Sequence, residues 1–237
     1  MFFLAAIGFL LASPQANPAS AAAWRELGAA MTAQGKSEAA LAAFSKACEL
    51  DPKDEDACYY AGRQLFSLGR YQEAVAAFET ALRAAPKEKL ARTHRAAALN
   101  HIALGSLDEA EKQFREAVRA GRGPDQVRAD AQTDYGAFLF RQSRTGEALA
   151  ALEQAVKIYP GSSRAHAELG RVLLHLGKAS EAAASLERAV ELDGRSPGVR
   201  LLLGRAYLAL GRKAEGERQL RLGREAWDRN HGSSTVK

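Results

Sequence analysis

The sequence predicts an all-α fold, a right-handed solenoid of six helix-turn-helix repeats filling residues 22–230. Three observations carry this. The 237 residues are rich in Ala, Leu, Glu and Arg and poor in β-branched side chains, a composition that favours helix over sheet. Residue types also return at a fixed interval: Gly28, Gly35, Phe44, Ala47 and Pro52 recur 34 positions later as Gly62, Gly69, Phe78, Ala81 and Pro86, and Gly136 recurs as Gly170 and Gly204. A period of that length is the mark of stacked supersecondary units. Within each period, small residues and bulky apolar residues fall where two helices packed on one another need them.

The chain opens on an address. Residues 2–12, FFLAAIGFLLA, are an apolar run of eleven, followed by Ser13, Pro14 and Pro18 and then by Ala19-Ser20-Ala21. Such a run is shorter than the ~20 residues a membrane-crossing helix needs, and a small-x-small triplet suits signal peptidase, so residues 1–21 read as a secretory signal peptide cut near Ala21. No Lys or Arg precedes Arg25, which leaves the terminal amine as the only basic group at this end. The expected location is the periplasm or beyond. A membrane-anchored chain that keeps the segment, or a cytoplasmic one, is the alternative.

The repeats run 21–54, 55–88, 91–124, 129–162, 163–196 and 197–230, with two extra residues at Lys89 and Leu90 and four from Asp125 to Arg128 marking the weak joins. On the first helix of each repeat, Gly28, Gly62, Ala98, Gly136, Gly170 and Gly204 meet Ala40, Ala74, Ala110, Ala148, Ala182 and Gly216 on the second, where larger side chains would part the axes. Phe44, Phe78, Phe114, Leu152, Leu186 and Leu220 fill the space beside them, each contributing about 1.5–3 kcal/mol by burial. Gly35, Gly69, Gly105, Gly177 and Gly211 end the first helix in a left-handed conformation, with Ser143 the exception. Pro52, Pro86 and Pro160 stop the second helix. Second-helix places facing the next repeat are apolar in Leu41, Val75 and Leu149 but become Glu217 and Arg224 in the sixth, as the bare end of a stack requires. Residues 231–237 read as a frayed polar tail.

In the first repeat Trp24, Leu27, Gly28, Ala40, Phe44 and Pro52 fit the pattern W-x2-L-G-x2-Y, A-x3-F, P, with Met31 in the place of the tyrosine. The sequence thereby resembles the tetratricopeptide repeat family. The resemblance implies a non-catalytic scaffold whose first helices line a concave groove for a protein or an extended peptide. Some members carry a carboxylate clamp of Lys and Asn for chaperone tails; the corresponding residues here include Ala29 and Tyr60, so that specificity is not carried over.

Charge and motif content narrow the function further. The net charge of +5 comes from 33 basic and 28 acidic side chains, and 23 of the basic ones are Arg. Acids are interleaved with bases along most helices, which argues against nucleic acid as the partner. Cys48 and Cys58 lack zinc spacing, and both a disulfide and two small core residues are open to them; the core reading is the stronger, since cysteine is commonly buried and bonding geometry is narrow. His94 and His101 share a helical face, but they hold the places of Trp24 and Met31 and have no third ligand, so packing and not metal explains them. Acidic pairs such as Asp54 and Glu55 read as solvated helix starts. No phosphate loop, nucleophile elbow or metalloprotease motif occurs, and no cofactor is expected.

The packing places leave a second stripe on each first helix, and this is the candidate groove. It carries Arg25, then Asp56, Tyr59, Arg63 and Phe66, then Arg92, Arg95, Leu99 and Ile102, then Asp130, Thr133 and Phe140, then Arg164, Arg171 and Leu174, and last Leu201, Arg205 and Leu208. Arginines grip carboxylates bidentately while aromatic rings bury apolar anchors, so the mixture suits an acidic partner segment. An envelope-assembly subunit bridging several proteins, or the regulatory subunit of an enzyme encoded elsewhere, is the alternative role.

Overall fold

The computed structural model describes residues 20–231, so the expected signal peptide apart from Ser20 and Ala21, and all of the expected tail past His231, lie outside the described residues. Among them are twelve helices and no strand. The described residues divide into two compact units, the first ending at Ala120 and the second beginning at Gly121. The first unit holds α1 (Ala21–Ala33), α2 (Ser37–Leu50), α3 (Glu55–Ser67), α4 (Tyr71–Ala84), α5 (Leu90–Ala103) and α6 (Leu107–Arg119). The second holds α7 (Asp125–Arg141), α8 (Thr145–Ile158), α9 (Ser163–His175), α10 (Ala179–Leu192), α11 (Pro197–Ala209) and α12 (Lys213–His231). Within each unit every odd-numbered helix pairs with the helix after it, and successive pairs pack on one another. None of the described helices is long and apolar enough to cross a membrane.

The helix ends follow from local chemistry. Ser20, Asp54 and Ser162 cap first helices by accepting from the backbone N–H of Ala23, Ala57 and Ala165. Every first helix closes in the same way, with paired backbone bonds such as Gly35 N to Thr32 O at 3.0 Å and Lys36 N to Met31 O at 3.0 Å, which satisfy carbonyls the helix leaves orphaned. The residue at the turn must then be left-handed, and the five glycines have φ from +71° to +75°. Ser143 takes φ +61° at the same place, a conformation costing a residue with a Cβ roughly 1–2 kcal/mol. Ser143→Gly is therefore expected to raise the stability of the second unit by about 0.5–1 kcal/mol, after the entropy glycine adds to the unfolded chain. A lower thermal midpoint in the variant would contradict this.

Close packing of each pair rests on the small residues. A Cβ on Gly28 would lie 2.8 Å from the Phe44 ring, and one on Gly62 or Gly136 would meet Phe78 at 2.8 Å or Leu152 at 2.7 Å. Ala40, Ala74, Ala110, Ala148 and Ala182 are fully buried opposite them.

Three readings of the sequence are corrected here. Leu90 opens α5 and Asp125–Arg128 form the first turn of α7, so the extra residues belong to helices, and the second insertion follows the boundary between the two units at Ala120 and Gly121. Thr133 is fully buried and donates to Ala129 O at 2.7 Å, so it is a core residue and faces no groove. Cys48 and Cys58 form a disulfide. The short turn at 51–54 brings the end of α2 against the start of α3 and sets the two Cα atoms 4.9 Å apart, within bonding range.

Candidate functional site

In the first unit the start of α3 meets the start of α5, and the acids at this contact are anything but solvated. Glu55 is only 3% exposed, against the sequence reading, because the first turn of α5 covers it with three partners. Thr93 donates its hydroxyl to Glu55 Oε1 at 2.9 Å, Lys89 Nζ lies 3.2 Å from Oε2, and the Arg92 guanidinium bridges Glu55 and Asp56. Arg92 also sits over Tyr59, its Cζ 4.4 Å from the ring centroid. Burial works against ionisation of Asp56, but hydrogen bonds from Lys89 and Arg92, with their charges, outweigh it and hold the carboxyl below its ordinary range. Burial pushes the Tyr59 hydroxyl upward in spite of the nearby charges of Arg63, Arg92 and Arg95. Arg25 reaches Asp54 at 2.8 Å, the residue that caps α3.

Of the predicted groove residues in this unit, Arg25 and Arg92 are thus spent on holding neighbouring repeats together, and Tyr59 is buried beneath Arg92. Arg63, Phe66, Arg95 and Leu99 line, with Tyr59 and Arg92, an open cleft of about 440 Å³ between α3 and α5. Arg63 is exposed, 6.0 Å over the Tyr59 ring, and has no carboxylate partner among the described residues. Phe66 is 36% exposed and rests on Tyr71, with ring centroids 5.4 Å apart.

The second unit repeats the theme with other residues. Arg164 pairs with the buried Asp134 of α7, and Arg171 pairs with Glu168 while its guanidinium sits 5.1 Å above Phe140. Phe140 meets His175 edge-on at 5.2 Å. Arg205 alone of the predicted arginines here is exposed and without a carboxylate partner among the described residues. With Arg164, Arg171, Leu201 and Leu202 it lines a cleft of about 660 Å³ between α9 and α11. Leu201 and Leu208 also lie close to α12, where a Cβ on Gly223 or Gly216 would lie 3.0 Å or 2.7 Å from them, and Leu208 remains 41% exposed.

Family models of the tetratricopeptide repeat match residues 4–55, 95–163 and 138–198, and again 31–99 and 173–226. The chain belongs to the tetratricopeptide repeat family. Its build is that of a protein–protein interaction scaffold. The first match begins inside the apolar run read as a signal peptide, so the two readings overlap at residues 4–21. No curated protein matches the sequence. Among solved structures, the pilF product of Pseudomonas aeruginosa is 17% identical, with 90% of this chain aligned to 93% of that one at a TM-score of 0.74. PilW, described as a widely conserved type IV pilus biogenesis factor, is 19% identical over 91% of this chain and 94% of its own, at 0.72. A chain of the APC/C Cut9–Hcn1 hetero-tetramer is 18% identical at 0.71; the tetratricopeptide chain here covers 89% of itself but spans only 41% of that protein. At such identities the likeness is one of fold.

Proposed function

We propose that this protein is an exported, non-catalytic scaffold that holds an acidic, extended segment of a partner protein against the first-helix faces of its repeats. The observation that carries the reading is the α3–α5 cleft, where an exposed Arg63 with no internal carboxylate partner stands beside the half-open Phe66 and Leu99. A cation and an apolar wall side by side match a carboxylate followed by an apolar anchor. Arg95 borders the same cleft, and Arg205 offers a second grip on the face of the second unit. Arg25, Arg92 and Arg164 support these faces by pairing across helices, and Arg171 does so by covering Phe140 of α7.

Export is supported by the Cys48–Cys58 disulfide, since such bonds persist in oxidising compartments and are rare in the cytosol. The periplasm fits both this and the apolar N-terminal run. A second reading, a subunit of an envelope assembly that bridges several proteins, is favoured by the shared fold with a pilus biogenesis factor over nearly the full length of both chains.

Reversing the two unpaired arginines, Arg63→Glu and Arg205→Glu, tests the groove without touching the inter-repeat pairs. Partner capture by the mature protein from its own cells is expected to fall at least tenfold and to weaken with salt in the unaltered protein, while circular dichroism stays unchanged. Capture that is indifferent to both substitutions would move the binding surface elsewhere and favour the bridging assembly.

A further inference from the structure

The helices at the two ends of the described chain are finished differently. On α12 the places that would face a following repeat carry Glu217 and Arg224, both exposed, the polar surface a terminal unit needs. The outward face of α1 is apolar instead. It carries Ala23 and Leu27, neither of them buried, and Leu27 is 41% exposed. At the place of Leu27, Ala61, Ala97, Leu169 and Leu203 of other repeats are each 8% exposed or less. Ala61 packs in one cluster with Ala40 and Phe44 of α2, so it is the preceding second helix that covers this place. On α1 the same face stands open.

The residues just before α1 have the sequence to cover it. Counting back 34 from α2 and the turn after it, Ala40 falls on Ala6, Leu41 on Ile7, Phe44 on Leu10, Pro52 on Pro18 and Asp54 on Ser20. Ser20 is within the described residues, and it accepts from Ala23 N at 3.2 Å just as Asp54 accepts from Ala57 N at 3.2 Å. α1 therefore opens with the same cap, in the same register, as the helix that follows α2. The family match that runs to residue 55 begins at residue 4 and so takes in this stretch. Side-chain sizes also compensate: Phe44 has the small Ala61 in its cluster, whereas the smaller Leu10 has the larger Leu27 at the matching place. Pro14, at the place of Cys48, ends any helix here by about Ala12, a turn sooner than α2. The run also lacks the basic residue that ordinarily opens an export signal.

We propose that the outward face of α1 is the docking surface for the chain's own residues 4–12, packed as the second helix of a further repeat, with Ala6 and Leu10 against Leu27. The run is then retained, and the disulfide remains as the support for export. Nothing in this draws on the partner groove, whose open arginines, Arg63 and Arg205, lie on α3 and α11.

Intact mass of the full chain purified from its own cells, followed by amide hydrogen exchange, tests the assignment. The mass is expected to include residues 4–12. Leu10→Asp and Leu27→Asp are each expected to speed exchange in α1 at least tenfold while α7 to α12 keep their rates, and the double variant adds little to either because both break one contact. Leu10→Ala, expected to speed it several-fold, carries the test should the charged variant fail to fold. A mass that begins near Ala21 overturns the proposal and gives the run to signal peptidase. Exchange in α1 that the Leu10 substitutions leave unchanged overturns it as well and puts the run elsewhere, the membrane included. Neither result touches the groove, which partner capture reads separately.

Discussion

Arg92→Met is expected to destabilise the first unit by about 2–3 kcal/mol. Removing one member of a buried ion pair costs roughly 3–5 kcal/mol, chiefly because the other charge is left buried and uncompensated. The figure is lower here since Lys89 and Thr93 still reach Glu55 and the Arg92 side chain is 22% exposed. Methionine keeps the stem that covers Tyr59, so the loss reports the charge and not the packing. In urea unfolding followed by circular dichroism the midpoint should fall, and loss of amide protection should concentrate in α3 and α5. Adding Glu55→Leu should restore most of the loss, since two apolar residues replace a buried pair at little or no cost. Acid carries the same signature: the folded pKa of Asp56 is depressed, so its contribution is present above the ordinary value of about 3.9 and disappears as pH falls through the folded one. The first unit should therefore weaken below about pH 4, less steeply in Arg92→Met, which removes one of the two groups that depress Asp56. A cost below about 0.5 kcal/mol with an unaltered acid limb would make the network a surface ornament.

What was legible in the sequence is what the repeats share. Gly28 over Phe44 and Gly136 over Leu152 announce themselves because the same pair of sizes returns at the same interval, and even the irregular turn at Ser143 could be placed left-handed from its glycine counterparts. What belongs to one interface alone was not legible. The contacts of Glu55 with Arg92 and Thr93 join residues 37 and 38 apart, and that of Arg164 with Asp134 joins residues 30 apart, so no single spacing signals them. The arginine stripe could be read as cationic, but whether a given guanidinium faces solvent or a neighbour's carboxylate depends on which acid the preceding repeat happens to supply. Arg63 and Arg205 remain open for that reason, and Arg92 and Arg164 do not.

Reducing the disulfide, or replacing Cys48 and Cys58 with Ala, is expected to cost the first unit about 2.5 kcal/mol and to do so mostly at its outer end. The bond joins residues ten apart, and closing so short a loop removes roughly that much entropy from the unfolded chain, somewhat less than the ~3 kcal/mol of a 15-residue loop. Its position decides where the loss is felt. Among the described residues α1 and α2 form the first pair, packed on a neighbour along one side only, and Leu27 on α1 is 41% exposed. In a stack whose stability comes from nearest-neighbour contacts the end pair opens first, and the bond at Cys58 staples that pair to the fully buried start of α3. Hydrogen exchange on the reduced protein should therefore show protection falling in α1 and α2 first, with α7 to α12 unaffected. No loss in either unit would mean that packing of Leu41 and Phe44 already holds the end closed and that the bond adds nothing to it, and equal losses in both would mean that its effect is not local to the first pair. A loss confined to the first pair would make an intact stack conditional on oxidation, so that the faces proposed for partner binding reach full order only once the chain has left a reducing compartment.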